Sequence, residues 1–181
     1  MDPALSIGKT QVNWTPFYQV MAEASATVMA LLFVAVQLSA AKVSEHRSAR
    51  WWSIAFSTFY LYLTAFFVPL WFLIPSMGPY SRPMLAFILA SIGIVRTVRG
   101  SLFVWRGTAR NPEEQWWQRT WYIAGPLILY GFLAYYAARS YFASTEIAEE
   151  KNVAIVLVLI FSLALKNSWS LLVEGVFAGK A

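Results

Sequence analysis

"IFSLALKNSWSLL", residues 160–172, decides how often this chain crosses a membrane, because it reads as a hydrophobic span until Lys166 interrupts it. A charged side chain near a bilayer centre costs at least about 2.5–3.5 kcal/mol, so a lysine either ends a span or finds a partner inside one. The surroundings favour the second. Apolar residues continue on both sides, from Asn152 to Val176, and about 20 such residues suffice to cross the hydrocarbon core. Ser162, Lys166, Ser170 and Glu174 recur at intervals of four, with Asn167 beside them. One polar stripe on an otherwise lipid-like helix is expected to turn inward.

Working outward, the same length criterion finds four more stretches. The spans cover about 18–41, 51–74, 83–105, 117–142 and 152–176, and together they make one all-α transmembrane domain. The third is apolar from Pro83 to Val95 and then carries Arg96 and Arg99. It and the fifth could therefore be re-entrant or tilted. Composition agrees with a membrane protein: of 181 residues, 59% are apolar and 13% charged, far from soluble averages. That length leaves no room for a separate soluble catalytic module. Without cysteine, disulfides and thiolate chemistry are excluded. The net charge of +5 sits at the ends of hydrophobic stretches, where it speaks for orientation in a bilayer and against nucleic acid.

Cytoplasmic loops collect Lys and Arg. An N-terminus outside the cell places Lys42, Arg47, Arg50, Arg96, Arg99, Arg106, Arg110, Arg119 and Lys180 inside, leaving Lys9, Arg82, Arg139 and Lys151 outside. The tryptophans separate the same way. Trp14 and Trp71 fall at the outer interface and Trp51, Trp52, Trp105, Trp116, Trp117, Trp121 and Trp169 at the inner one, as an aromatic belt requires. The expected product is a multi-pass protein of an inner cell membrane with a cytoplasmic C-terminus.

Lipid gives helices no hydrophobic reason to associate, so spans pack through small residues and hydrogen bonds. Ala22, Ala26 and Ala30 recur every four residues in the first span, beside a stripe of Glu23, Thr27, Ala30, Val34 and Gln37. This face is expected to be buried. Ala86, Ala90, Gly93, Thr97 and Gly100 repeat the pattern in the third span, and Ser53, Ser57, Tyr60 and Thr64 line up in the second, so both faces are expected to meet the bundle.

Lys166, Arg96 and Arg99 are expected at one level near the inner rim, with Glu174 as the nearest acid. Their charge calls for anionic phospholipid, a hydrated anion path, or a partner chain. Toward the outer side, Glu23 invites an ion pair with Arg82 or Arg139, or else serves a proton or cation. No catalytic motif is present: neither HExxH nor GxSxG occurs, the single His46 lies in a charged loop, and the only aspartate is Asp2. Neither a metal centre nor a cofactor is expected. The aromatic residues are read mainly as interfacial belt and lipid-facing surface.

The first span, "FYQVMAEASATVMALLFVAVQLSA", resembles the opening helix of small bacterial membrane proteins labelled modulators of a membrane-anchored AAA protease. Phe17, Ala22, Ala24, Ala26 and the run Leu31 to Ala35 carry the likeness, while Ala30 stands where those proteins have glycine. It covers this helix alone and implies an accessory role. The sequence thus leads to a non-enzymatic accessory or interaction protein that packs against a membrane partner or itself. The alternative is a small oligomeric channel or transporter with a basic, anion-attracting inner vestibule.

Overall fold

Helix ends bring the five spans into register. The computed structural model describes residues 13–40, 45–75, 80–106, 112–143 and 146–177. The side chains of 39–40, 45–51, 53, 101–106, 112–120, 143, 146–149 and 174–177 lie outside that description. The elements are α1 (Thr15–Ala40), α2 (Glu45–Phe72), α3 (Ser81–Arg106), α4 (Pro112–Ala143) and α5 (Glu146–Phe177). Each contains a stretch long and apolar enough to cross a membrane. Neither doubtful span breaks: α3 runs on through Arg96 and Arg99, and α5 through Lys166. A continuous helix satisfies its own backbone, which lipid requires, and a long basic side chain need not interrupt it.

Asn13 starts α1 by accepting the Thr15 amide on its Oδ1 at 3.0 Å, which satisfies one of the first-turn donors that a helix leaves unpaired. Pro112 opens α4, where its missing N–H removes no intrahelical bond. Pro69 and Pro126 lie inside α2 and α4 and are buried. Neighbouring helices therefore cover the backbone that these prolines leave open.

Contacts near the ends fix the helix directions. Tyr18 early in α1 meets Phe72 at the end of α2, with ring centroids 4.9 Å apart. Its hydroxyl donates to the Glu150 carbonyl near the start of α5 at 3.2 Å. Tyr80, just before α3, meets Tyr141 near the end of α4 at 5.7 Å. The starts of α1, α3 and α5 thus share one end of the bundle with the ends of α2 and α4. Helices α2, α3, α4 and α5 contact one another in a closed ring, and α1 packs on α2 and α5. The α2 span is 56% buried and the α1 and α3 spans 22% each, so α1, like α3, leaves most of its circumference uncovered.

The fully covered centre is made by Leu61, Tyr62 and Ala65 of α2 with Leu157, Ile160 and Ala164 of α5. Ala86 and Ala90 of α3 are buried, and their small side chains allow the close approach on which membrane helices depend. Thr58, Thr64, Thr97 and Ser168 donate to carbonyls four residues back at 2.8–3.0 Å. Their hydroxyl protons are satisfied within their own helices.

Candidate functional site

Of the three expected cations of α3 and α5, Arg96 and Lys166 are each drawn to an aromatic ring. The Arg96 guanidinium carbon lies 5.2 Å from the centroid of Tyr60 on α2. The Lys166 ammonium lies 5.0 Å from that of Trp121 on α4. Both distances suit a cation–π contact. Arg96, Arg99 and Lys166 are all exposed on the outside of the bundle.

This reverses the expected facing of α5. Ser162 and Lys166 are exposed and Ser170 is half-buried, whereas Ile160, Ala164, Asn167, Ser168 and Leu171 are buried. Turning Lys166 inward would strip its ammonium of water without providing a carboxylate. Turned outward, it sets its ammonium over the Trp121 ring and keeps its side chain exposed. Asn167 alone of the expected polar group is covered, with 3% exposure. Glu174 belongs to α5, but its side chain lies outside the described residues, as do His46 and much of the expected basic rim.

Inside the ring of helices lies a polar layer built from tyrosine. Ser168 donates to the Ala164 carbonyl at 2.9 Å, so its oxygen is left to accept from the Tyr62 hydroxyl at 3.1 Å. Thr64 likewise donates to the Tyr60 carbonyl at 3.0 Å, and Tyr130 reaches the Thr64 oxygen at 3.4 Å. Tyr60 donates to the Leu89 carbonyl at 3.1 Å. Four helices are tied by these three tyrosines, all of them buried. Tyr60 and Thr64 lie on the face of α2 expected to meet the bundle, but reading the other aromatics as belt and lipid surface misses Tyr62 and Tyr130. The available signal was their place near the middle of a span, where a belt residue does not belong.

At the opposite end the expected pairing of Glu23 is also replaced. Arg82 faces Glu150 of α5, with Nη1 and Oε1 3.7 Å apart. Glu23 is exposed on α1 and accepts from the Gln19 amide at 3.1 Å. The start of α5 brings Glu150 beside α3, while Glu23 lies about 12 Å along α1 from Thr15 at 1.5 Å per residue. Arg82 and Glu150 border an open cleft of about 290 Å³, walled by Trp14, Tyr18 and Phe72.

The small-residue faces divide in two. Ala86, Ala90 and Gly93 are buried together on α3. On α1 only Ala22 is covered; Ala26 is half-buried and Ala30 exposed. Glu23, Thr27, Val34 and Gln37 are exposed with it, because α1 presents Tyr18, Met21, Ser25 and Leu32 to α2 and α5. The stripe expected to be buried is therefore uncovered within one chain. Among the described residues no group of three or more His, Asp or Glu side chains is placed to hold a metal ion.

With this geometry in view, comparison with protein-family models, curated proteins and solved structures finds no match to the chain.

Proposed function

We propose that this chain is a non-enzymatic interaction protein of a bacterial inner membrane, which works by packing α1 against a second membrane-spanning chain. The observation that carries the reading is the uncovered face of α1. Val20, Glu23, Thr27, Ala30, Val34 and Gln37 are all exposed, and they alternate at steps of three and four. That spacing is the seam of a left-handed helix pair. An ordinary lipid-facing surface has no use for a carboxylate and an amide in such a row, whereas another helix does.

A copy of the same helix is the occupant that suits the seam. Gln37 combines a donor with an acceptor and can pair with its own equivalent, while the Thr27 oxygen, whose proton goes to the Glu23 carbonyl at 2.9 Å, can still accept. Ala30 at the middle admits close approach. The resemblance of this span to modulators of a membrane-anchored AAA protease points to the same type of action, with the paired helices offered to a larger membrane partner. Lysine and arginine placement supports an external N-terminus and a cytoplasmic C-terminus, with anionic phospholipid at the basic rim. The outward facing of Arg96 and Lys166 speaks against a path through a single bundle, so the channel alternative would need several chains around a common axis.

The absence of native cysteine makes the test direct. Thr27→Cys and Ala30→Cys should form disulfide-linked dimers under mild oxidation in native membranes, and Ile128→Cys, exposed on α4, should not. Equal linkage at all three positions would mean random collision. A photo-reactive side chain at position 30 that yields neither a dimer nor a defined adduct would sink the interaction reading.

A further inference from the structure

The cleft at the start of α1, α3 and α5 is bordered by one cation and one anion, Arg82 and Glu150. Arg82 and Glu150 stand 3.7 Å apart, well beyond the roughly 2.7–2.9 Å of a charge-assisted hydrogen bond. Arg82 Nε is buried, and no described acceptor meets it. Buried donors are nearly always paired, and an orphan costs about 1–3 kcal/mol. The guanidinium is thus incompletely satisfied, and Arg82 lines an open space. That space, about 290 Å³, exceeds what one or two waters occupy at about 30 Å³ each.

Its walls separate by chemistry. Arg82 supplies positive charge, and Thr15 places the positive end of α1 on the same cleft, an arrangement that suits an anionic oxygen. Glu150 supplies a carboxylate, and the faces of Trp14, Tyr18 and Phe72 complete the boundary, which suits a cation. The level is informative too, because the apolar spans begin at Thr15, Ser81 and Glu150. The cleft thus lies where hydrocarbon gives way to headgroups.

We propose that this cleft binds a zwitterion, the phosphate and primary ammonium of an ethanolamine phosphate, with Arg82 on the phosphate and Glu150 on the ammonium. Two methylenes join those charges, so one small group can meet both side chains, each through a group of opposite charge. A primary ammonium offers N–H donors to the Glu150 carboxylate, and its carbon chain lies against the aromatic wall. The same chemistry arises in a phosphatidylethanolamine headgroup and in the free compound. The inference uses the membrane reading of the chain and is independent of the α1 contact.

The test is calorimetric titration of the full chain in detergent micelles with dihexanoyl phosphatidylethanolamine, free phosphoethanolamine and dihexanoyl phosphatidylglycerol, each below its micellar concentration. Saturable binding of the ethanolamine lipid is expected, with phosphatidylglycerol about tenfold weaker or more, and Arg82→Gln and Glu150→Gln should each weaken the ethanolamine lipid about tenfold. Tighter binding of the lipid than of free phosphoethanolamine assigns the site to a headgroup. Equal binding assigns it to the soluble zwitterion. Phosphatidylglycerol binding as tightly as the ethanolamine lipid, or no saturable binding, would overturn the proposal. The exchanged pair R82E/E150R separates ligand binding from a structural clamp. It should recover the thermal stability lost in the single variants and not the affinity, and recovery of both would overturn the assignment.

Discussion

A β-carbon added to Gly93 of α3 would lie 2.7 Å from Cζ of Tyr130 on α4, with both Cε atoms of that ring at 2.8 Å. Real Cβ contacts essentially never come so close, and the ring has little freedom to move away: Tyr130 is 1% exposed and its hydroxyl is engaged with Thr64. Gly93→Ala should therefore force α3 and α4 apart and cost about 1–3 kcal/mol, despite the better helix propensity of alanine. Gly131→Ala on α4 is the control, since its added carbon meets nothing within 4 Å, and it should be neutral or stabilising. Thermal unfolding in detergent checks both. Equal stability of the two variants would refute the close packing of Tyr130 over Gly93.

Tyr62 is fully buried and spends its hydroxyl on Ser168 across the α2–α5 contact. Tyr62→Phe leaves the ring packed against Phe161 and strands no donor, so the loss should be modest, about 1 kcal/mol. Because Ser168 also bonds within its own helix, Ser168→Ala should be milder still. A double-mutant cycle should return a coupling near 0.6 kcal/mol, the usual scale for interhelical hydrogen bonds in membranes. Additive effects would mean that the two hydroxyls do not interact.

The number of helices was legible because each apolar run is as long as a bilayer crossing needs. Their ends were less so. Hydropathy stops at charged residues, yet α5 begins at Glu146 and α4 at Pro112, since a helix entering the headgroup region still satisfies its own backbone. The facing of α5 could not be read from pattern. Val158, Leu159 and Leu165 are exposed while Leu157, Ile160 and Ala164 are buried, and these two sets are chemically alike. With apolar residues all around, the polar stripe was the only marker, and the cost of burying Lys166 set its direction opposite to the one expected. Glu150 escaped notice because nothing in its local sequence points to Arg82. Only the bundle, which brings the starts of α3 and α5 to one end, sets the two side chains 3.7 Å apart.

Lys166 offers a direct test of that outward facing. With its ammonium over Trp121 and its side chain exposed, Lys166→Leu should leave membrane insertion intact and change stability by no more than about 1 kcal/mol, the scale of an exposed cation–π contact. In a Trp121→Leu background the same change should cost less. Insertion is read from alkali-resistant membrane fractionation and stability from thermal unfolding. Loss of several kcal/mol would mean that the lysine is an internal partner of some other group, and would reopen the basic vestibule.

Ala22 and Ala30 lie two turns apart on α1 and should respond in opposite ways to the same substitution. Ala22 is 6% exposed against the rest of the bundle, whereas Ala30 belongs to the uncovered seam. A tryptophan at position 22 has no space to enter and should disrupt the fold, lowering stability by about 1–3 kcal/mol or more. At position 30 it projects outward, so the single chain should keep its stability within about 1 kcal/mol, while a close helix pair can no longer form. Size analysis in mild detergent, run beside thermal unfolding, separates these effects. Ala30→Trp should give a stable chain of monomer size, and Ala22→Trp an unstable one. A dimer that survives Ala30→Trp with undiminished cross-linking at position 27 would show that the seam is not where the chains meet.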